Sequence, residues 1–381
     1  MISQPSLFYW NGPQTKLLVE RFQKYYPLRH VMPCSSGTAA IHIAVLAAGI
    51  APGDEVIVPP VTDLGTVIGV LYQQAVPVFA DIEPHRYTLS AADVRKKITR
   101  RTKAIIAVHL MGNPCDIKAL KQVADEHGLL LIEDCAQAWG AMSGDQPVGT
   151  IGDLACYSLN DFKHIGCGDG GLVATNDARF GALLQRRGDK DYDRVQESRL
   201  SETLAPNYRI TEPQAAVAAV QMTRMWEITG QRGERGRRLT DLLRGVAGVQ
   251  PPEAEPHDRW SCWHYILRLV PAVLRCRPKQ FTDALSAEGV ACEAGYMPAP
   301  LYRYPLFQNH AFFAGGWPIR QSGVTKMDYR KVGCPEAEAF LKTCVKVRLN
   351  EAMDDAWIDA MAAAIAKVAR WHVKAGVERT R

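Results

Sequence analysis

The sequence predicts an α/β protein, with a doubly wound, mostly parallel sheet in a large domain over residues 1–250 and a smaller α+β domain over 251–381. Three observations predict it. Between about residues 30 and 175, short apolar runs alternate with amphipathic segments, the rhythm of β-α-β units. The runs are rich in Val, Ile and Leu and are not polar at alternate positions, as strands buried on both faces tend to be. The segment Pro251-Pro252-Glu253-Ala254-Glu255-Pro256 carries too much proline for a helix interior and reads as a crossover between two units.

In chain order, parallel strands are expected at Val56–Val58, Val76–Phe79, Ala104–Val108, Leu129–Ile132 and Leu172–Ala174. Helices are expected between them at Ala39–Ala48, Val67–Gln74, Ile117–His127 and Ala178–Gln185. A helical stretch follows from Glu212 to Leu243. Beyond the prolines, Tyr265–Val270 reads as a strand and Asp355–Val373 as a closing helix. No internal repeat or low-complexity segment stands out.

Composition narrows the function classes. The 381 residues are 47% apolar and 22% charged, which is ordinary for a globular enzyme-sized chain. A net charge of +5 is small, and the basic runs Lys97–Arg101 and Arg232–Arg238 read as solvated helix faces, so nucleic acid is a poor partner. The ten cysteines are scattered, with no C-x-x-C and no alternation with His at zinc spacing. Reduced thiols, no metal centre and a cytoplasmic location are therefore expected. The start Met1-Ile-Ser-Gln-Pro lacks the features of a signal peptide, and no apolar run is long enough to span a membrane.

Three motifs carry chemistry. In Pro33-Cys34-Ser35-Ser36-Gly37-Thr38-Ala39-Ala40, Gly37 permits close backbone approach to an anion at a helix start. The hydroxyls of Ser36 and Thr38 could add donors, although Ser-Gly-Thr before a helix also serves simply as an N-cap. In Leu130-Leu131-Ile132-Glu133-Asp134, an apolar strand runs into two carboxylates, and ligands bind outside the carboxyl ends of such strands. A carboxylate there can keep a cofactor's pyridine nitrogen protonated, or cap a helix, or serve a metal or nucleotide. In Ser158-Leu159-Asn160-Asp161-Phe162-Lys163-His164-Ile165-Gly166-Cys167-Gly168-Asp169-Gly170-Gly171, a single Lys sits between a short strand and a Gly-rich turn. Such a Lys is a nucleophile if burial lowers its pKa, and a solvated surface residue otherwise. The order of the three motifs, more than any one of them, points to a site.

In that order the chain resembles the DegT/StrS family of pyridoxal-phosphate (PLP) dependent sugar aminotransferases, which have the fold type I, aspartate-aminotransferase-like architecture. The resemblance runs from Asn11-Gly12-Pro13 through Ser36-Gly37-Thr38, Gly53-Asp54-Glu55-Val56-Ile57-Val58-Pro59, Val108-His109-Leu110-Met111-Gly112 and Glu133 to Ala138. It continues through Ser158 to Gly171 and Asn207-Tyr208-Arg209-Ile210-Thr211-Glu212-Pro213-Gln214, ending near Tyr296-Met297-Pro298. It implies that Lys163 is the Schiff-base lysine and proton carrier, that Asp134 pairs with the pyridine nitrogen, and that Gln137 approaches the cofactor's phenolic oxygen. Ser36, Gly37, Thr38 and Ser158 fall at phosphate-binding positions. Asn207 falls where a residue reaches the phosphate bound by a neighbouring subunit, which implies a homodimer with shared sites.

Three positions depart from the family pattern. Asp63, in Pro59-Pro60-Val61-Thr62-Asp63, stands where an aromatic residue usually covers the cofactor ring. Trp139 replaces a frequent His and reads either as an apolar wall of the pocket or as core. Gly295 precedes Tyr296 where many members carry His. The resemblance implies amino transfer from glutamate or glutamine to a keto sugar, with a nucleotide-linked sugar as the expected acceptor. The alternatives are a ketocyclitol aminotransferase, a PLP-dependent sugar dehydratase, whose relatives replace the lysine with His, and a non-catalytic PLP-binding regulator.

Overall fold

The computed structural model describes residues 6–375; residues 1–5, read above as lacking a signal sequence, lie outside them. Chain order gives β1 (His30–Cys34), β2 (Glu55–Val58), β3 (Val76–Phe79), β4 (Thr102–Val108), β5 (Leu130–Asp134), the hairpin β6 (Met142–Ser143) and β7 (Gln146–Pro147), β8 (Leu154–Ser158) and β9 (Gly171–Thr175). Seven of these form one sheet in the order β1-β9-β8-β5-β4-β2-β3. Strands β3, β2, β4, β5 and β8 run parallel. Their carboxyl ends therefore share one edge, where the side chains of Asp134 and Ser158 are delivered.

Two expectations change. Leu172–Ala174 does lie in the sheet, but β9 is antiparallel to both β8 and β1. Residues 159–170 contain no helix, and without a helical crossover the chain can only fold straight back beside β8. Strand β1 was not expected, because Pro33 interrupts its sequence. It is the outermost strand of the sheet, beside β9, with one further bridge from Cys34 to Arg209, and an edge is where a sheet tolerates proline.

The helices Gly37–Ala47, Gly65–Tyr72, Ile117–His127 and Ala178–Gly188 fall where expected to within a few residues. The stretch from Glu212 to Leu243 is two helices, Glu212–Met222 and Met225–Leu243. An additional helix, Pro13–Gln23, packs on the first of them. Buried Glu212 accepts the N–H groups of Gln14 and Thr15, each at 2.9 Å, and so caps that helix. A Cβ on Gly12 would lie 2.1 Å from the same carboxylate, which accounts for glycine in Asn11-Gly12-Pro13.

A second sheet, all antiparallel, joins β10 (Val249–Gln250), β11 (Tyr265–Leu269), β12 (Cys292–Ala294) and β13 (Cys344–Val347) in the order β10-β11-β13-β12. Its core includes Leu267, Phe281, Val345 and Ile365, together with Leu239 and Leu243 from the long helix. Leu301, Phe307, Tyr329 and Phe340 pack instead into the core of the large sheet. The run Arg232–Arg238 is not a simple solvated face. Arg232 donates to the carbonyls of Cys262 and Trp263, Arg235 to Met353, and Arg238 pairs with Asp359. Three of its guanidinium groups thus tie the helix to the C-terminal segments, a packing role that composition does not reveal.

Candidate active site

At the carboxyl edge of the large sheet lies a cavity of about 390 Å³. Ser36, Gly37, Thr38, Asp63, Asp134, Gln137, Ser158 and Lys163 all line it, so eight of the nine expected site residues come together. The ninth, Asn207, is exposed and lies outside this lining. A larger hollow of about 1070 Å³, beside the Pro251–Pro256 segment, presents Arg86 already paired with Glu255 and Asp258, and His85 with Glu253.

Consecutive strand residues face opposite ways, and the two acids that end β5 show it. Glu133 turns away from the cavity, fully buried, and accepts from the N–H groups of Gly149 at 2.7 Å and Ile151 at 2.9 Å. His109 completes its shell, with Nε2 at 2.9 Å. Asp134 faces the cavity. The Thr66 hydroxyl donates to its Oδ2 at 2.8 Å and the Ala136 N–H to its Oδ1 at 3.1 Å. Because the Thr66 proton is committed to Asp134, the Thr62 hydroxyl, 2.7 Å away, must donate to Thr66. Burial pushes the Asp134 carboxyl up, while the Ala136 N–H, the Thr66 hydroxyl and the charge of Lys163 hold it down.

Lys163 follows β8 on the short return to β9, with its N–H on the Asn160 carbonyl at 2.9 Å. Its Nζ lies 4.1 Å from the centroid of the Trp263 ring. Burial lowers its pKa, opposed by Asp134 and Asp63. The amine is therefore closer to its nucleophilic form than a surface lysine. Trp263 is fixed on three sides: its indole donates to the Phe162 carbonyl at 2.7 Å, its N–H to Met111 at 2.9 Å, and its carbonyl accepts from Arg232 at 2.7 Å.

Opposite the acid, the helix Gly37–Ala47 points its N-terminus at the cavity. The Ser36 hydroxyl accepts the Ala39 N–H at 3.0 Å, so Ser36 caps the helix as well as lining the site. The Ala40 N–H returns to the Ser36 carbonyl, whereas Gly37 and Thr38 stand too early in the helix for an intrahelical acceptor. A Cβ on Gly37 would lie 2.8 Å from the Ser158 Cβ, so only glycine lets helix and strand meet here. An anion-receptive helix start, a lysine whose pKa burial lowers and a buried carboxylate around one cavity suit PLP, whose phosphate, aldehyde and pyridine nitrogen they match.

Gln137 is buried, accepts the Met111 N–H at 2.8 Å and donates to the Tyr296 hydroxyl at 3.0 Å. It thus joins the large sheet to the segment after β12. Trp139 is core: it packs with Phe22, Tyr26 and Tyr157 and donates to the Ser158 carbonyl at 2.8 Å. Its effect on the site is to hold the strand end that carries Ser158. Gly295 adopts φ 81° with open space around it, a conformation that a His there would strain. His164 is buried, its Nε2 lies 3.0 Å from the Ser261 carbonyl, and burial lowers its pKa to about 3. Thr66 and Trp263 escaped the sequence reading, since each reaches the site from a distant segment without a motif of its own; Tyr296 and Arg232 were noted there without the contacts they make.

A lysine, a buried acid and a helix N-terminus so disposed define a carbonyl-cofactor transferase of the α/β class. The sequence pattern of the DegT/DnrJ/EryC1/StrS aminotransferase family matches residues 3–366, and the chain belongs to that family. It is 38% identical over 301 residues to the UDP-N-acetyl-3-dehydro-alpha-D-glucosamine 3-aminotransferase of Acidithiobacillus ferrooxidans, covering 79% of each chain. It is 34% identical over 316 residues to the "Pleiotropic regulatory protein" of Geobacillus stearothermophilus, covering 81% of each chain. The S. venezuelae DesV structure, in complex with a ketimine intermediate, superposes with a TM-score of 0.83 at 27% identity, covering 97% of this chain and 92% of that one.

Proposed function

We propose that the protein transfers an amino group from glutamate or glutamine to a keto sugar, with PLP as cofactor and a nucleotide-linked sugar as the acceptor. The observation that carries this reading is Lys163 and Asp134 on the same cavity wall as an open helix N-terminus. The acceptor class rests on the relatives, among them the Acidithiobacillus ferrooxidans enzyme named for a UDP-linked keto sugar.

When bound, PLP supplies an aldehyde for amine capture and a ring that accepts electrons. Gly37, Thr38 and Ser158 would hold its phosphate at the helix start. Asp134 would hold the proton on the pyridine nitrogen, its charge sustained by Thr66 and Ala136. Lys163 would hold the cofactor and, as a free amine, would serve as the base that takes and returns a proton at the substrate carbon. Its lowered pKa serves that second task, because a lysine with its ordinary pKa would remain protonated. Trp263, pinned through Arg232, keeps the amine from swinging to solvent.

The dehydratase alternative needs His at the lysine position, and neighbouring His164 is occupied with the Ser261 carbonyl instead. A regulator without catalysis has a relative of matching name, yet retaining both Lys163 and Asp134 in reacting positions favours turnover. We propose also that a second copy completes the site through Asn207. In support, the loop before it exposes Val195, Leu200 and Leu204 while buried Asp189 and Asp191 tether it through Arg194, Arg186 and Arg187.

The test loads the PLP-bound protein with glutamate or glutamine, removes the donor, and screens keto sugars and ketocyclitols for return of the original absorbance spectrum. Return with a keto sugar supports the reading. Return with ketocyclitols alone selects the second reading, and no response to either donor refutes amino transfer.

A further inference from the structure

Resting on the amino-transfer reading, we infer that Asp63 selects the acceptor, and that the ketone aminated here already carries a protonated amine near its carbonyl. Asp63 lies at the turn from β2 into the helix Gly65–Tyr72 and lines the cavity that holds Lys163. Its Oδ1 accepts the Gly65 N–H at 2.8 Å, which fixes the plane of the carboxylate. A Cβ on Gly65 would lie 2.9 Å from that same oxygen and 2.5 Å from Thr38 Oγ1, so the turn is packed too closely to let the group drift. Asp63 is solvent-exposed, and among the described residues its only side-chain hydrogen bond is the one from Gly65 to Oδ1, which leaves Oδ2 to water.

The surrounding charges say what Oδ2 is for. The cavity has four ionisable lining side chains, Asp63, Asp134, Asp169 and Lys163. Asp134 is occupied by Thr66 and Ala136 and is reserved for the cofactor ring. Asp169 accepts the Gly170 N–H at 3.0 Å on the Gly-rich turn. Once the Lys163 amine is engaged by the cofactor, no other cationic side chain among the described residues that line the cavity in this protomer faces Asp63. Its charge also acts on the phenols of Tyr296 and Tyr304, which belong to the C-terminal segment.

A substrate that covers Asp63 without donating to it strips water from a carboxylate and returns nothing, which is costly. A hydroxyl returns one neutral hydrogen bond. A protonated amine returns a charge-assisted bond and also offsets the excess of negative charge. The amine-bearing ketone is therefore the acceptor that this wall rewards.

The test uses the glutamate-loaded holoenzyme with a nucleotide-linked keto sugar and with the same keto sugar bearing one amino group in place of a hydroxyl. The wild type should favour the aminated ketone in kcat/KM by roughly 10–100-fold, the range of one charged hydrogen bond, and mainly through KM. Asp63→Asn should bring that ratio close to one, and Asp63→Glu should keep part of it. Because each ratio is taken within one protein, a general loss of activity cancels. Calorimetric binding of a nucleotide-linked amino sugar against its hydroxyl counterpart gives the same comparison without turnover, and decides the matter should neither ketone react. Equal affinity and equal kcat/KM for the two, or a preference that survives in Asp63→Asn, would overturn the inference. Failure of both glutamate and glutamine to load the enzyme would overturn the amino-transfer reading instead.

Discussion

Thr66→Val isolates how Asp134 is kept charged. The substitution keeps the shape of a buried side chain and removes the hydroxyl that donates to Asp134 Oδ2 at 2.8 Å. It also leaves the Thr62 hydroxyl without its acceptor. A hydrogen bond to a charged group contributes about 1.5–3 kcal/mol, so binding that depends on the ionised carboxylate should weaken roughly 10–100-fold. The pH dependence has a definite sign. Burial already raises the Asp134 pKa, so protonation sets in at a higher pH than for an exposed Asp. As pH falls through that raised value, the carboxyl becomes neutral and can no longer pair with a protonated ring nitrogen. Affinity for PLP should therefore fall with pH, and in Thr66→Val the fall should begin at higher pH still. Fluorescence titration of cofactor-free protein with PLP across a pH series measures both effects. An affinity and pH profile unchanged from wild type would show that Thr66 does not sustain the charge, and the account of Asp134 would fail.

Lys163→Ala should abolish amino transfer while circular dichroism and the melting temperature stay near wild type, since its backbone contact is retained and a buried ammonium is removed; turnover at the normal rate would end the catalytic assignment. Gly37→Ala should weaken PLP binding and destabilise the fold by about 1–3 kcal/mol, because its Cβ would meet that of Ser158 at 2.8 Å; denaturant melts with and without cofactor check this. Asn207→Ala and Lys163→Ala should each be inactive or nearly so, but mixing the two and allowing subunits to exchange should restore activity, since a hybrid dimer contains one intact site. No recovery in an exchanged mixture would place Asn207 outside the partner's cofactor site.

Much of the site was legible because its chemistry lies in short contiguous motifs. Ser36-Gly37-Thr38 announces a helix start, and the strand ending in Glu133-Asp134 announces a sheet edge, so both could be placed without knowing the fold. What was not legible follows from how the same elements pair. Strand direction depends on the connection, and the loop carrying Lys163 is too short for a helical crossover, so β9 turns back antiparallel although its composition reads as parallel. Likewise, nothing in Glu133-Asp134 says which acid faces the cavity; the pleat of β5 decides it, and the hydrogen bonds to residues 149–152 take the other.

The same reasoning explains why the contacts that support these motifs were not legible and why they matter. Thr66, Trp263 and Tyr296 come from three separate segments, and each acts on a motif residue rather than on a ligand. Thr66 controls the charge of Asp134, Trp263 the position of the Lys163 amine, and Tyr296 the Gln137 amide. Two of these three, Trp263 and Tyr296, belong to the chain beyond residue 250. Of the pair proposed to be catalytic, Asp134 is supported from within the large sheet's own segments, whereas the Lys163 amine packs on Trp263, whose carbonyl Arg232 tethers. A substitution at Trp263 should thus alter the surroundings of the Lys163 amine without touching the sheet.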